Sequence, residues 1–238
     1  MENYTPLRKA MIQSNRKTRI IMVRHGQSIA NKESRFAGHS DFDLSEIGHE
    51  QASLAAKYLS AIEKPDVIYS SDLSRAHNTA VPFAKEYGLP INDTEHLREM
   101  YAGKWEGEKV SDLIERFNED MTAWRDDFSN ARCTGGESVA ELYARVVPAV
   151  KDIAKKHLGQ TVLMTTHATP IRAIECYSRG WGADRMADVD FVRNSAINIF
   201  EYNDSDGSII AIKTNIVDHL EDSLITEVPS SLKNTKPI

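Results

Sequence analysis

The chain has 238 residues, of which 41% are hydrophobic and 27% charged, with a formal net charge of −6; this composition is typical of a folded protein and excludes a disordered or collagen-like chain. No apolar stretch approaches the roughly 20 residues that cross a bilayer, and the weak negative charge argues against nucleic acid as a partner. The two cysteines, Cys133 and Cys176, are typical of a reducing compartment. We therefore expect a cytoplasmic protein that binds neither nucleic acid nor a membrane.

Five short runs rich in apolar residues are predicted to be β-strands. The first follows a polar N-terminal extension, residues 1–18, and ends at Arg24. Runs of this kind are typical of strands buried on both faces of a parallel sheet. The last two runs are joined by a predicted hairpin turn at 203–207. The five runs are residues 19–24, 66–70, 161–165, 196–200 and 208–213.

Four segments between these strands are predicted to be helices. Ser45 is the predicted N-cap of the first helix, with the apolar residues Ile47, Leu54 and Tyr58 on one face. Pro170 is predicted to open the fourth helix at its first position. Strands that alternate with helices indicate a layered α/β fold with a mostly parallel sheet. The four segments are residues 45–60, 74–87, 138–157 and 170–177.

The domain organisation follows from the remaining segments. Residues 100–135 interrupt the alternation, are rich in charge and contain Trp105 and Trp124, so we predict a helical lid above the sheet. The polar tail, residues 221–238, is predicted to be peripheral. One domain over residues 19–220 then lies between the N-terminal extension and this tail.

Reactive side chains cluster where the predicted strands end. Arg24 and His25 close the first strand, Arg75 follows the second, and His167 follows the third. Glu99 lies on a connection between the second and third helices. Because ligands of such sheets bind at the carboxyl ends of the strands, we expect these five side chains to share one site.

This set of residue types suits phosphoryl transfer. Two guanidinium groups offer paired donors for phosphate oxygens, and a neutral imidazole can attack phosphorus and carry the phosphoryl group. A second histidine can donate to the developing charge, and a carboxyl group can protonate the leaving alkoxide. Taken singly, each residue is better explained as a structural histidine, a surface ion pair or a solvated carboxylate. The prediction depends on four such residues meeting at three strand ends.

A metal hydrolase with His25 and His167 as ligands is a competing hypothesis. The sequence contains no His-x-His or His-Glu-x-x-His spacing, and arginines beside a metal cation are unfavourable. We therefore expect no metal at this site.

Five motifs follow one another in a recognisable order along residues 19–202. The first is Arg24-His25-Gly26, and the others lie in residues 70–76, 97–107, 135–138 and 166–168. In this order they resemble the histidine phosphatase superfamily, also called the phosphoglycerate mutase-like family. Gln27 stands where that family has Glu. With the strand and helix pattern, the resemblance predicts a three-layer α/β/α sandwich with a mostly parallel central sheet and a helical lid insertion.

The resemblance also implies roles for single residues. His25 would be the phosphorylated nucleophile and Glu99 the proton donor. The remaining residues would form the phosphate pocket, and they are Arg24, Arg75 and His167, with Asn31, Ser28 and Ala168 as further contacts. The family needs no metal, which agrees with the positive charge that the arginines supply.

Two branches of the family remain open, phosphatases and mutases. The Gly-x-Trp-Glu-Gly pattern at 103–107 and the segment 194–197 are similar to the phosphatase branch, which we favour. A phosphoglycerate mutase would need 2,3-bisphosphoglycerate as primer, whereas a phosphatase needs no cofactor. A non-catalytic protein that binds phosphorylated ligands is a third alternative. The expected partner is a small phosphorylated metabolite, whose identity stays open, and the strand edge near 208–214 allows a homodimer.

Overall fold

The computed structural model describes residues 17–226. Most of the predicted extension, residues 1–16, and the end of the predicted tail, residues 227–238, lie outside the described residues. Lys17 and Thr18 belong not to an extension but to the first strand. Thr18 is fully buried, and its hydroxyl donates to the Ala154 carbonyl oxygen at 2.7 Å. The buried hydroxyl group therefore has a hydrogen-bond partner. Within residues 17–226, no helix is long and apolar enough to cross a membrane.

The strands in the described residues form one mixed sheet. They are β1 (Lys17–Arg24), β2 (Val67–Ser71), β3 (Ile91–Thr94), β4 (Thr161–Thr166), β5 (Ile197–Asn203) and β6 (Ser208–Ile216). Their order across the sheet is β3-β2-β4-β1-β5-β6. β5 pairs antiparallel with β1 and β6, and the other three pairings are parallel. Every strand except β5 therefore runs in one direction, which confirms the mostly parallel sheet.

Helices connect the strands and cover the sheet. They are α1 (Ile29–Lys32), α2 (Glu46–Ser60), α3 (Ser74–Tyr87), α4 (Val110–Arg116), α5 (Asn118–Asp126), α6 (Val139–Lys156) and α7 (Ala168–Ser178). The predicted N-cap is confirmed, because the Ser45 side chain accepts from the Gly48 N–H. Helix α7 begins at Ala168 rather than at Pro170. Pro170 is still in the first turn, where its missing N–H leaves no intrahelical hydrogen bond unmade.

Two hydrophobic cores lie on opposite faces of the sheet. The side chains of β1 alternate between them, since Ile20 and Met22 belong to one core while Ile21 and Val23 belong to the other. Helices α2 and α3 pack in the second of these cores, and α6, α7 and the segment with α4 and α5 pack in the first. This arrangement is the predicted three-layer sandwich.

The face of helix α2 that carries Ile47, Leu54 and Tyr58 is not its buried face. Ile47 is 37% exposed, and Leu54 and Tyr58 are only partly buried. A Cβ on Gly48 would lie 2.1 Å from the Gln27 carbonyl oxygen, so the helix lies very close to the loop after β1. Such close approach favours small residues. The buried apolar side chains of α2 are Ala52, Ala55, Ala56 and Leu59.

The predicted lid segment contains the expected helices, α4 and α5. Trp105 is fully buried and Trp124 is 5% exposed. Both indole rings make edge contacts with Phe36, at centroid distances of 5.2 and 5.0 Å. The two tryptophans therefore anchor this segment to the loop after β1, and any opening motion of the lid stays a prediction.

The described part of the tail, residues 221–226, is not peripheral. The Leu224 carbonyl oxygen accepts from the buried Gln51 amide at 2.7 Å, and the Thr226 hydroxyl donates to Asn194 Oδ1 at 3.1 Å. These hydrogen bonds attach the segment to α2 and to the loop before β5. Polar residues can pack against a domain by pairing with its polar groups, and the domain boundary at residue 220 stays a prediction.

Candidate active site

His25 follows strand β1 at the carboxyl edge of the sheet. Its N–H donates to the Thr166 carbonyl oxygen at 2.8 Å, and its ring Nδ1 lies 2.7 Å from the Gly26 carbonyl oxygen. Because a carbonyl oxygen can only accept, Nδ1 carries the proton and Nε2 keeps its lone pair. The His25 ring is thus in the tautomer that can act as a nucleophile through Nε2.

Two buried arginines, Arg24 and Arg75, are fixed by backbone carbonyl groups. Arg24 Nη1 donates to the Val192 oxygen at 2.6 Å. Arg75 Nη1 and Nη2 donate to the oxygens of Ser40 and Gly38, at 3.0 and 2.7 Å. The Nε atoms of both arginines have no partner within the described residues. A buried unpaired donor is costly, so each arginine has a hydrogen bond to offer a bound anion.

His167 lies next to His25 and is fully buried. The centroids of the two rings are 5.1 Å apart in an edge contact. Its Nε2 lies 2.9 Å from the Ser71 hydroxyl oxygen, whereas its Nδ1 has no partner within residues 17–226. If Ser71 donates to Nε2, then Nδ1–H is a third unpaired donor, beside the His25 ring.

The electrostatics of the site keep both histidines neutral. Burial, followed by the positive charge of Arg75, lowers the pKa of His25 and the pKa of His167 well below the usual value of 6.5. Burial also lowers the pKa of Arg24 and that of Arg75 to about 10, so both guanidinium groups remain charged at neutral pH. The site therefore combines neutral imidazoles with fixed positive charge.

Glu99 contributes the carboxyl group of the site. One carboxylate oxygen accepts from its neighbour, the Met100 N–H, at 2.9 Å, and the other accepts from the Thr169 N–H at 3.3 Å. The Glu99 carbonyl oxygen accepts from Arg145 at 3.2 Å. Its backbone and its carboxylate are therefore both fixed, as a general acid requires.

The three auxiliary residues have different outcomes. Asn31 lines the pocket, and its Oδ1 accepts from Asn194 Nδ2 at 3.2 Å. Ala168 also lines the pocket, at the first position of α7. Ser28 does not, because its fully buried hydroxyl caps helix α1 by accepting from the Asn31 N–H. The Ser28 hydroxyl thus has a capping role, and a contact between Ser28 and phosphate stays a prediction.

Most of these residues line one open pocket of about 900 Å³, its mouth included, whereas His167 and Ser28 are not among its lining residues. Six of the predicted site residues line it: Arg24, His25, Asn31, Arg75, Glu99 and Ala168. The walls also include residues that the sequence analysis did not assign to the site, among them Phe36, Trp124, Phe191, Asn194 and Thr226. Asn194 lies in the segment 194–197 that resembles the phosphatase branch, so a signal for it existed. Trp124 and Thr226 carry no comparable motif.

The positive charge of this pocket comes from arginine side chains. Within the described residues, no three His, Cys, Asp or Glu side chains are grouped in a way that could hold a metal ion. Arg35 adds a further guanidinium group at the pocket wall, where its Nη1 donates to the Gly107 carbonyl oxygen at 2.9 Å. The arrangement is suited to a small anion beside a neutral nucleophile.

Known proteins are similar to this chain in sequence and in fold. The sequence profile of the histidine phosphatase superfamily (branch 1) matches residues 20–215. The chain belongs to the histidine phosphatase superfamily. Phosphoserine phosphatase 1 from Hydrogenobacter thermophilus is 34% identical over 204 residues, which cover 85% of this chain and 94% of that protein.

Two further phosphatases extend the comparison. The metal-independent phosphoserine phosphatase from Arabidopsis thaliana is 33% identical over 189 residues, which cover 79% of this chain and 77% of that protein. The native structure of a mycobacterial glucosyl-3-phosphoglycerate phosphatase matches with a TM-score of 0.74 at 29% identity, covering 84% of this chain and 98% of the other. The chain is therefore an enzyme of this superfamily, and these three relatives are phosphatases.

Proposed function

We propose that this enzyme hydrolyses phosphomonoesters of small metabolites through a phosphohistidine at His25, without a metal ion. The observation that carries the proposal is the neutral His25 ring with its free Nε2 beside two buried guanidinium groups with unpaired Nε atoms. An imidazole in this state is a nucleophile, and the guanidinium groups offset the charge of the phosphate it attacks.

The first step forms the covalent intermediate. The lone pair of His25 Nε2 attacks phosphorus, a nitrogen–phosphorus bond forms, and the bond from phosphorus to the ester oxygen breaks. Protonated Glu99 gives its proton to the leaving oxygen, so an alcohol departs. Arg24, Arg75 and His167 donate to the non-bridging oxygens, whose charge they stabilise.

The second step releases phosphate. Glu99, now ionised, accepts a proton from water as the water oxygen attacks phosphorus. The nitrogen–phosphorus bond breaks, its electron pair returns to Nε2, and inorganic phosphate leaves with Glu99 protonated again. Arg24 and Arg75 hold the phosphoryl group throughout both steps, so the enzyme's own cations supply the positive charge.

The substrate class follows from the walls of the pocket and from the relatives. Phe36, Trp124 and Phe191 give the walls apolar area, while Arg35 at the pocket wall offers a donor to a polar leaving group. The relatives are named for phosphoserine and for glucosyl-3-phosphoglycerate, both of which carry polar groups beyond the phosphate. These two compounds are therefore the first substrates to test.

Phosphorus NMR on a mixture of phosphomonoesters tests the proposal. The mixture holds phosphoserine, glucosyl-3-phosphoglycerate and 3-phosphoglycerate with a trace of the bisphosphate primer, and a chelator is present throughout. We expect wild type to release inorganic phosphate, His25→Ala to release none, and His49→Ala to match wild type, because His49 is exposed. Conversion of 3-phosphoglycerate to 2-phosphoglycerate without phosphate release contradicts hydrolysis, and dependence on a metal contradicts the proposed chemistry.

A further inference from the structure

The side chain of Glu106 lies at the centre of the loop that holds Arg75. Its Oε1 accepts from the N–H groups of His39 and Ala102, both at 2.8 Å. Its Oε2 accepts from the N–H and the hydroxyl of Ser40, at 2.6 and 2.7 Å. All four donors are neutral, and among the described residues Glu106 forms no salt bridge. The sequence analysis gave Glu106 no role beyond its place in a motif.

The same loop also accepts hydrogen bonds from the guanidinium group of Arg75. Arg75 Nη2 donates to the Gly38 carbonyl oxygen, and the N–H of that same peptide group, which belongs to His39, donates to Glu106. One peptide group therefore bridges a carboxylate and a guanidinium group. Each hydrogen bond polarises the peptide in the direction that strengthens the other.

The loop geometry allows this bridge only with glycine at position 38. Gly38 has a φ of +51°, and a Cβ there would lie 2.3 Å from Glu106 Oε1. The left-handed backbone and the missing side chain let the carboxylate reach the His39 and Ser40 amides. Arg75 Nη1 also donates to the Ser40 carbonyl oxygen at 3.0 Å, so both of its terminal nitrogens depend on this loop.

We propose that Glu106 is a positioning residue that acts through Arg75: it fixes the Gly38 and Ser40 carbonyl oxygens that orient the Arg75 guanidinium group toward bound phosphate. The inference rests on the proposed function for the role of Arg75 as a phosphate ligand. A carboxylate is required at position 106 because all four surrounding groups donate. An amide would place its own NH₂ donor against an N–H of this loop.

A double-mutant cycle between Glu106 and Arg75 tests this inference. The variants are Glu106→Gln, Arg75→Lys and the combination, with Glu108→Gln as the matched control. Glu108 is two residues further on, its side chain is 38% exposed, and it pairs with Arg116 at 3.2 Å. For each variant, calorimetry measures the binding of orthophosphate. Steady-state kinetics give kcat and KM for p-nitrophenyl phosphate, and the free energy of unfolding is measured as well.

We expect Glu106→Gln to weaken orthophosphate binding about tenfold and to raise KM by a similar factor, which is the typical size of a coupling in a charged network. In the Arg75→Lys background the same substitution should change orthophosphate binding by less than about twofold, because the guanidinium group that Glu106 positions is absent. Glu108→Gln should match wild type. A tenfold loss that persists in the Arg75→Lys background, or no loss in the single variant, overturns the inference.

A milder variant keeps the test informative if Glu106→Gln fails to fold. Ser40→Ala removes one of the four hydrogen bonds and leaves the backbone donors in place, so we expect orthophosphate binding to weaken about threefold. That loss should also vanish with Arg75→Lys, and an unchanged loss counts against the role of Glu106. Because calorimetry needs no turnover, an inactive wild type that still binds orthophosphate would refute the proposed hydrolysis separately.

Discussion

The His25 imidazole shows how much of the site's chemistry is set by the surroundings of one residue. Burial removes the water that would stabilise an imidazolium ion, and Arg75 and Arg24 repel the added charge. The hydrogen bond from Nδ1 to Gly26 then determines which nitrogen carries the proton. Charge state and tautomer together leave Nε2 as the available nucleophile.

Glu99 is predicted to matter most where the leaving group is a poor one. We expect Glu99→Gln to lower kcat about 10²- to 10⁴-fold for an alkyl phosphate such as phosphoserine, because the alkoxide must be protonated as it departs. The loss should be far smaller for p-nitrophenyl phosphate, whose leaving group is stable without a proton. Steady-state kinetics with both substrates measure the difference. Glu95→Gln, at an exposed position on the same connection, is the control, and equal losses with the two substrates argue against Glu99 as the acid.

The sequence predicted the residues at strand ends and not the walls of the pocket. Arg24, His25 and His167 stand out because each ends or follows a run rich in apolar residues that is typical of a buried strand. Trp124 reaches the pocket from helix α5, and Thr226 reaches it from beyond the last strand. Their positions depend on how those segments pack, and neither periodicity nor spacing encodes that packing.

At the level of elements, local patterns predicted the long strands and helices well. The short edge strand β3 was missed because only Ile91 among its four residues is apolar. In α2, the face with the largest apolar side chains, Ile47, Leu54 and Tyr58, is not the face that the protein buries. That helix instead presents small residues to the sheet, and its Gly48 leaves room for the Gln27 backbone. Close packing, rather than hydrophobicity alone, selects this face.

The N-cap of helix α6 is predicted to stabilise the protein without affecting the site. The Ser138 side chain accepts from the Glu141 N–H at 3.1 Å, and the Glu141 carboxylate accepts from the Ser138 N–H at 2.9 Å. Ser138→Ala should lower the free energy of unfolding by about 1 kcal/mol and leave kcat/KM unchanged. Urea unfolding measures the change. The control is Ser60→Ala, at an exposed position, which should change the free energy of unfolding by less than about 0.5 kcal/mol. Equal effects of the two substitutions would exclude a capping contribution.

For the whole molecule, the buried histidines couple stability to pH. The pKa of His25 and that of His167 are well below 6.5 in the folded state, whereas an unfolded histidine titrates near its ordinary value of about 6.5. As the pH falls below that value, the unfolded chain binds protons that the folded chain does not. Stability is therefore fully present above pH ~6.5 and is lost below it, by up to about 1.4 kcal/mol per pH unit for each histidine.

Urea unfolding at about pH 7.5 and about pH 5 tests this coupling. We expect wild type to lose more free energy of unfolding between these two conditions than His167→Asn, which no longer has one of the two groups. His49→Asn, at an exposed position, should lose as much as wild type. If His167→Asn shows the same loss as wild type, His167 is not a source of the pH dependence.

The pocket is assembled from both ends of the described chain, and this has a consequence for biosynthesis. Arg24 is held by the carbonyl group of Val192, and the His25 carbonyl oxygen accepts from Asn194. Strand β1 also needs β5 as its neighbour, with Lys17 opposite Asn203. A ribosome makes His25 early and these partners late, so a nascent chain carries His25 through most of translation without the contacts that orient it. A new chain can therefore become active only after its last strands have been made and have folded. In a population of newly made chains, enzyme activity thus measures the fraction that has completed folding.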